Sequence, residues 1–316
     1  VDTDKVKIKK LKEGSHNFQD REINKILSKS ISSGRLKLSS KPKKSDIFFI
    51  VVPTPFKKNK KIDLSYVYTA LNSIIPLLQS GNLIIIESTI SLFTTNKILE
   101  VIYSKRPDLK NEIFLAYCPE RILPGNTYNE LIKNDRIIGG INNISSKKAA
   151  NFYKRFVKGK IFITDPVTAE MSKLTENAFR DSQIAFANEI SMICDEVGIK
   201  THELISLANK HPRVNILNPG SGVGGHCIPV DPLFLISDFP NHTKFIKTAR
   251  ETNLSKTKWC IKKIKKEIKN FTKKNKIPPK VSLMGLSYKP NTDDLRESAS
   301  AEISKDIIDF FCGQVF

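Results

Sequence analysis

Cys227 closes the stretch Gly220-Ser-Gly222-Val-Gly224-Gly225-His226-Cys227, and Asp231 follows four residues on. A thiolate is a strong nucleophile, but a thiol of ordinary acidity is mostly protonated near neutrality. Backbone N–H groups of a Gly-rich loop, or a protonated neighbour, would raise the thiolate fraction. The competing reading is a small buried hydrophobe, which is what Cys is by default. The same stretch matches G-x-G-x-x-G, the dinucleotide fingerprint, which needs a strand before it and a helix after it. Here Pro219 precedes, and Pro229 and Pro232 oppose a helix start of useful length, so the glycines are expected to serve close backbone approach instead.

Glu170, Lys173, Asn177 and Asp181 recur at spacings of three and four, which puts them on one face of a helix. That face is either a solvated stripe with a Glu170–Lys173 pair or a partly buried one on which a lysine can exchange a proton. Met171, Leu174, Phe179, Ile184 and Phe186 surround it with apolar residues. Glu120 stands in Tyr117-Cys-Pro-Glu-Arg-Ile-Leu-Pro-Gly125, a loop stiffened by prolines that either aims its carboxylate or leaves it paired with Arg121. Asp2 sits at a strand-like end, where a carboxylate can hold the ribose hydroxyls of NAD.

The elements that must position these residues alternate. Apolar runs at 46–52, Leu83–Ile86, Ile113–Tyr117, Arg136–Ile138 and Lys160–Ile163 are separated by helical patterns at Leu64–Leu78, from Thr89 to about Ser104, and Ser145–Val157. Near-continuous apolar strands between helices predict a Rossmann-like α/β fold, a parallel sheet covered on both faces. Chemistry in such sheets gathers at the carboxyl ends of strands. Pro53-Thr54-Pro55, Glu87-Ser88-Thr89 and Cys118–Arg121 lie there. Residues 167–210 read as helix broken near Gly198, and a long basic helix spans Thr243–Asn275. Val281–Leu286 is expected as a new strand and Ser300–Phe311 as a new helix. The expected domains are 1–165 for the cofactor, 166–277 as an all-helical dimerisation domain, and 278–316 as the start of a second α/β domain.

Composition narrows the classes. The chain of 316 residues is 40% hydrophobic and 27% charged, which supports a large core and excludes wholesale disorder. No apolar run approaches the roughly 20 residues of a membrane helix, and no signal peptide opens the chain, so the cytoplasm is the expected compartment. The formal charge is +20. Lysines outnumber arginines 42 to 10, whereas base readers lean on Arg, so nucleic acid is not an expected partner. Five scattered cysteines with no C-x-x-C pair predict neither a disulfide framework nor a metal site.

Taken together, the motifs resemble the nucleotide-sugar 6-dehydrogenases, the family of UDP-glucose and GDP-mannose dehydrogenases. They are Val52–Pro55, Glu87–Thr89, Ala116–Gly125, Lys133–Gly140, Ala169–Asp181, Ala185–Glu189, His211–Asn215, Gly222–Asp231 and Gly285–Ser298. His211-Pro-Arg-Val-Asn215 and Glu120-Arg121 bring the likeness nearest to the branch acting on UDP-N-acetylmannosamine. UDP-glucose and UDP-N-acetylglucosamine 6-dehydrogenases are the alternatives, and a non-catalytic fragment is another. The resemblance implies oxidation of a sugar C6 alcohol to a carboxylate with two NAD, in a homodimer. It implies Cys227 as nucleophile and Glu120 as acid/base. Lys173 and Asn177 would stabilise an oxyanion, with Asp231 and Thr89 placing water. Asp2, Pro53, Thr54, Ser88, Thr89 and Arg296 would face the cofactor. Glu120, Arg121, Lys173, Asn177, Arg213, Gly224 and Lys289 would face the substrate.

Two departures stand out. The family's Pro-x-Gly turn after Thr89 is replaced by Ile90-Ser-Leu-Phe93. The first strand and Gly-rich turn of a cofactor domain, and most of a last domain, are absent from these residues. The 316-residue chain is therefore expected to bind NAD poorly and to dimerise through its helical middle.

Overall fold

The structure is a computed structural model that describes residues 1–14, 20–56, 62–122, 126–288 and 294–311, in two compact units, Val1–Lys173 and Leu174–Phe316. The first unit runs α1 (Lys5–Lys12), α2 (Arg21–Ser32), β1 (Ile47–Ile50), α3 (Ser65–Ile74), β2 (Leu83–Ile86), α4 (Thr94–Lys105), β3 (Phe114–Tyr117), α5 (Thr127–Lys133), β4 (Arg136–Gly140), α6 (Asn143–Tyr153) and β5 (Ile161–Thr164). Asp4 and Asp20 cap α1 and α2 by accepting from first-turn amides. Asp20 also accepts from Tyr128 N at 3.0 Å, which ties α2 to α5.

The sheet order is β1-β2-β3-β4-β5. The expected α/β sheet is present, but it is not wholly parallel. β1/β2, β2/β3 and β4/β5 are parallel, whereas β3/β4 is antiparallel through Ala116↔Gly140 and Tyr117↔Gly139. A parallel return needs a crossover to the far end of the sheet. Among the described residues between β3 and β4 the chain forms the short α5 alone, and β4 runs back from the end at which β3 finished.

All four residues of β2 are buried. Ile84, Ile86, Leu115 and Tyr117 pack with Val67, Leu71, Ile98 and Ile102 on one face, while Ile85, Ala116 and Ile138 meet Ala149, Ala150 and Tyr153 on the other. At about 25 cal/mol per Å² of apolar area, this double cover is the main stabilising term of the unit. Gly139 and Gly140 end β4 because a Cβ at Gly139 would lie 2.7 Å from the Ala169 Cβ and one at Gly140 would lie 2.4 Å from Ser146 N.

The second unit is helical. α7 (Pro166–Val197) begins in the first unit and continues here, followed by α8 (Thr201–Ala208), α9 (Asp231–Asp238), α10 (Lys244–Asn275) and α11 (Ala299–Phe310). The break at Gly198 and the long basic helix are as expected. Val281–Leu286 is not a strand: it forms no ladder among the described residues, and Met284 is 93% exposed. Val281 alone takes part in a β-bridge, and 282–286 carry no strand assignment. α9 also departs from expectation, since Pro232 enters its first turn, where a missing N–H costs nothing.

Candidate active site

Glu120 follows β3, and its carboxylate has two hydrogen-bond partners among the described residues. Arg136 Nη1 donates to Oε2 at 2.7 Å and Arg121 N donates to Oε1 at 2.6 Å. Arg136 opens β4 with its side chain 2% exposed. Its guanidinium lies 5.4 Å from the centre of the Tyr153 ring, and Tyr153 Oη donates to Glu87 Oε1 at 2.5 Å. Burial pushes Glu87 and Tyr153 up, and pushes Cys118 up to about 12. Cys118 is thus an inert thiol. The Arg121 guanidinium turns away from Glu120 to the carbonyl of Asp135. Sequence reasoning gave no role to Arg136, although its place at the start of a buried strand was a signal, because a buried Arg needs a partner.

Lys173 Nζ donates to the backbone carbonyl of Glu120 at 2.7 Å. The Glu170–Lys173 pair, one of the two readings of this face, is not what forms. Glu170 is fully buried and caps α4 instead, accepting from Phe93 N at 2.6 Å, from Thr95 N at 2.8 Å and from Thr95 Oγ1 at 2.6 Å. Orphan amides at a helix start are stronger attractors of a carboxylate than a solvated ammonium one turn away. Phe93, the residue before α4, has φ 66.

The residues expected to face the cofactor lie after β1 and β2. Ser88 Oγ accepts from Val52 N at 2.7 Å and donates to Val52 O at 2.8 Å, welding the two strand ends together. Thr54 and Thr89 are half-buried and Pro53 is exposed at that edge. These strand ends fit one side of a dinucleotide, the side that rests on the carboxyl edge of a parallel sheet. Asp2 does not fit its expected role. It lies outside any strand, accepts from Asp4 N at 3.0 Å and pairs with Lys7 at 3.1 Å, which together pull its carboxyl below the usual range.

In the second unit the Gly-rich loop packs closely because its glycines carry no side chains. A Cβ on Gly222 would meet Thr257 Oγ1 at 2.3 Å, and one on Gly224 would meet Tyr288 Cβ at 2.5 Å. Gly222 and Gly225 take φ 147 and 91, which favours glycine. Cys227 is half-buried, and its carbonyl accepts from Val230 N at 3.0 Å and Asp231 N at 2.8 Å in the turn that opens α9. Asp231 is buried and accepts from Asn177 Nδ2 at 2.5 Å, so two of the expected catalytic residues are in direct contact.

Arg296 stands beside the loop. Its carbonyl accepts from Gly225 N at 3.0 Å, and its guanidinium lies 3.1 Å from His226 Nδ1 while donating to both oxygens of Asp294. The Arg296 hydrogen bond holds the Asp294 carboxyl well below its usual range. Arg213 is exposed and lines an open groove of about 390 Å³ with Phe179, Phe186, Val214 and Phe245. Lys289 lies outside the described residues.

Residues 1–157 match the UDP-glucose/GDP-mannose dehydrogenase family, NAD binding domain, and residues 167–255 match the central domain of the same family. The chain is 43% identical to an NDP-N-acetyl-D-galactosaminuronic acid dehydrogenase of Ralstonia nicotianae, over 100% of this chain and 75% of that protein. It is 47% identical to a UDP-N-acetyl-D-mannosamine dehydrogenase of Methanococcus vannielii, over 96% of this chain and 69% of the relative. Among solved structures, the UDP-N-acetyl-mannosamine dehydrogenase of Staphylococcus aureus aligns with TM-score 0.87 at 40% identity, covering 100% of this chain and 75% of that one. The enzyme described as a UDP-D-ManNAc dehydrogenase from Pyrococcus horikoshii aligns with TM-score 0.89 at 37% identity, covering 99% and 75%.

Proposed function

The chain belongs to the UDP-glucose/GDP-mannose dehydrogenase family of NAD-dependent oxidoreductases, and from that premise we propose that it oxidises the C6 alcohol of a UDP-N-acetylhexosamine, with UDP-N-acetyl-D-mannosamine as substrate, to the uronic acid. The observation that carries the reading is the setting of Cys227. It is a half-buried thiol in a glycine loop whose exit turn is fastened by the Asn177–Asp231 bond, whereas Cys118 and Cys194 are buried and Cys260, also half-buried, sits within α10 with its thiol pushed up by burial.

NAD, when bound, supplies the hydride acceptor for each of two oxidations at C6. The protein's part is covalent and electrostatic. The Cys227 thiolate adds to the C6 aldehyde, forming a C–S bond and a thiohemiacetal as the carbonyl oxygen takes a proton. Loss of that proton and of a hydride leaves a thioester. Water then attacks the acyl carbon, Glu120 takes its proton, and the C–S bond breaks to return the thiolate. Holding the aldehyde on sulfur prevents its escape between steps. Lys173 places a positive charge for the alkoxide, and Asn177 is a further donor. Pro53, Thr54, Ser88, Thr89 and Arg296 would hold the cofactor, and Arg213, Gly224 and Lys289 the substrate.

The enzyme is proposed to work as a cytoplasmic homodimer through its helical middle, where Phe179, Phe186 and Phe245 are 60%, 53% and 73% exposed. The test is an assay of the chain completed with the flanking segments that its relatives carry. Two NADH per uronate are expected from UDP-N-acetylmannosamine, and Cys227→Ser stops turnover at or before the aldehyde. Steady uronate release by that variant at near the unmodified rate sinks the reading. Turnover of UDP-glucose alone reassigns the sugar.

A further inference from the structure

Between α7 and α10 lies a row of buried polar groups that the scheme above does not use. Asp181, Asn188 and Asn253 are each no more than 1% exposed. Asn253 Nδ2 donates to Asp181 Oδ1 at 2.8 Å and to the Asp181 carbonyl at 2.9 Å. Asn188 Nδ2 donates to Asn253 Oδ1 at 2.8 Å. Gly220 N donates to Asn188 Oδ1 at 2.8 Å. Arg250 lies 2.9 Å from Asp181 and supplies the countercharge.

The row has a direction. An ionised carboxylate only accepts and a backbone N–H only donates, while each asparagine does both. With an acceptor fixed at one end and a donor at the other, both amides have one orientation that satisfies every link. Turning either sets oxygen against oxygen and N–H against N–H. Such a conflict in a dry interior costs more than the lost bond itself. One turn beyond Asn253, Thr257 Oγ1 donates to the Ser221 carbonyl at 2.8 Å. The first residues of the glycine loop are therefore bolted to two helices, and Cys227 lies seven residues after the Asn188 contact.

We infer that Asp181, Asn253 and Asn188 are positioning residues that set the Cys227 loop through a one-way hydrogen-bond relay ending on the Gly220 amide. Its functional meaning rests on Cys227 being the nucleophile, but its geometry does not.

The experiment uses the 316-residue chain at pH 7.5 without ligands. It measures amide hydrogen exchange at Gly220 and peptide-resolved alkylation of Cys227 by iodoacetamide. Asn253→Asp sets two carboxylates against each other. It should speed Gly220 exchange about tenfold and raise Cys227 alkylation about fivefold by loosening a half-buried thiol. Asn188→Asp keeps an acceptor for Gly220 but has no donor for Asn253, so alkylation and exchange should rise by about threefold. It also decides the matter if Asn253→Asp does not fold. The reciprocal double variant Asp181→Asn/Asn253→Asp restores a donor for every side-chain acceptor in the row, losing only the side-chain bond to the residue 181 carbonyl, and should return both rates most of the way. Exchange and alkylation at unmodified rates in a folded single variant overturn the inference, as does a double variant no better than Asn253→Asp. A completed enzyme that turns over with Cys227→Ser sinks the catalytic reading alone, because the exchange result does not depend on it.

Discussion

Lys173 commits its ammonium to a backbone carbonyl, that of Glu120, and so touches the same loop as the proposed base without neutralising its carboxylate. A charge used in this way is needed most when an oxyanion develops. In the completed enzyme Lys173→Ala should lower kcat by roughly a hundredfold or more while changing KM little. A pure KM effect in steady-state kinetics returns Lys173 to a structural role. Cys227, Glu120 and Lys173 stood out in the sequence as residue types in telling places and remain the proposed catalytic set: a thiol after glycines, a carboxylate between prolines, a lysine on an apolar helix. Their partners were not. Arg136 is 16 positions from Glu120, and Thr95 is 75 from Glu170. No local spacing reports such meetings, so the local Glu170–Lys173 pair looked natural and was wrong.

The strands and long helices were readable because burial on both faces writes an unbroken apolar run and α7 writes a stripe. Direction was not, since β4 differs from a parallel strand only in where its connection returns. Nor was the fate of Val281–Leu286, whose apolar run depends on a neighbour to become a strand. The α7–α10 contact carries a pH prediction. Burial raises Asp181 from 3.8 to about 6 against the opposing pull of Arg250 and Asn253. The folded chain thus holds this proton more tightly than the unfolded chain does. The resulting stability is full below pH 4 and is lost as pH rises through 6. Protonated Asp181 keeps a carbonyl oxygen for Asn253, so the contact survives. Between pH 7 and pH 5 the unmodified chain should gain about 1–2 kcal/mol relative to Asp181→Asn, read from urea midpoints. No difference between the two chains rejects the shift.

At the scale of the molecule, the ends of β1 and β2 are the edge at which the cofactor is proposed to rest. No strand, Gly-rich turn and helix succeed one another ahead of β1 among the described residues, and the Asp2 carboxylate is committed to Asp4 and Lys7. The pyrophosphate of a dinucleotide gains most of its hold from amides at such a turn. Calorimetry on this chain should therefore give no saturable binding at micromolar NAD, and a saturable isotherm there overturns the expectation. β1 is an outer strand of the sheet order, with Phe49 and Val51 39% and 63% exposed, a surface that favours self-association. The family was legible from motifs running in order along nearly the whole chain, while the sugar epimer is a matter of pocket shape that motif order does not encode.

The turn at Phe93 links two positions. A bulky residue at positive φ costs about 1 kcal/mol or more relative to glycine, and the cap from Glu170 offsets it. The two positions are thus epistatic. With phenylalanine at 93, losing Glu170 leaves the strain without its offset, whereas with glycine there the strain is absent. The cost of changing either residue therefore depends on which residue stands at the other.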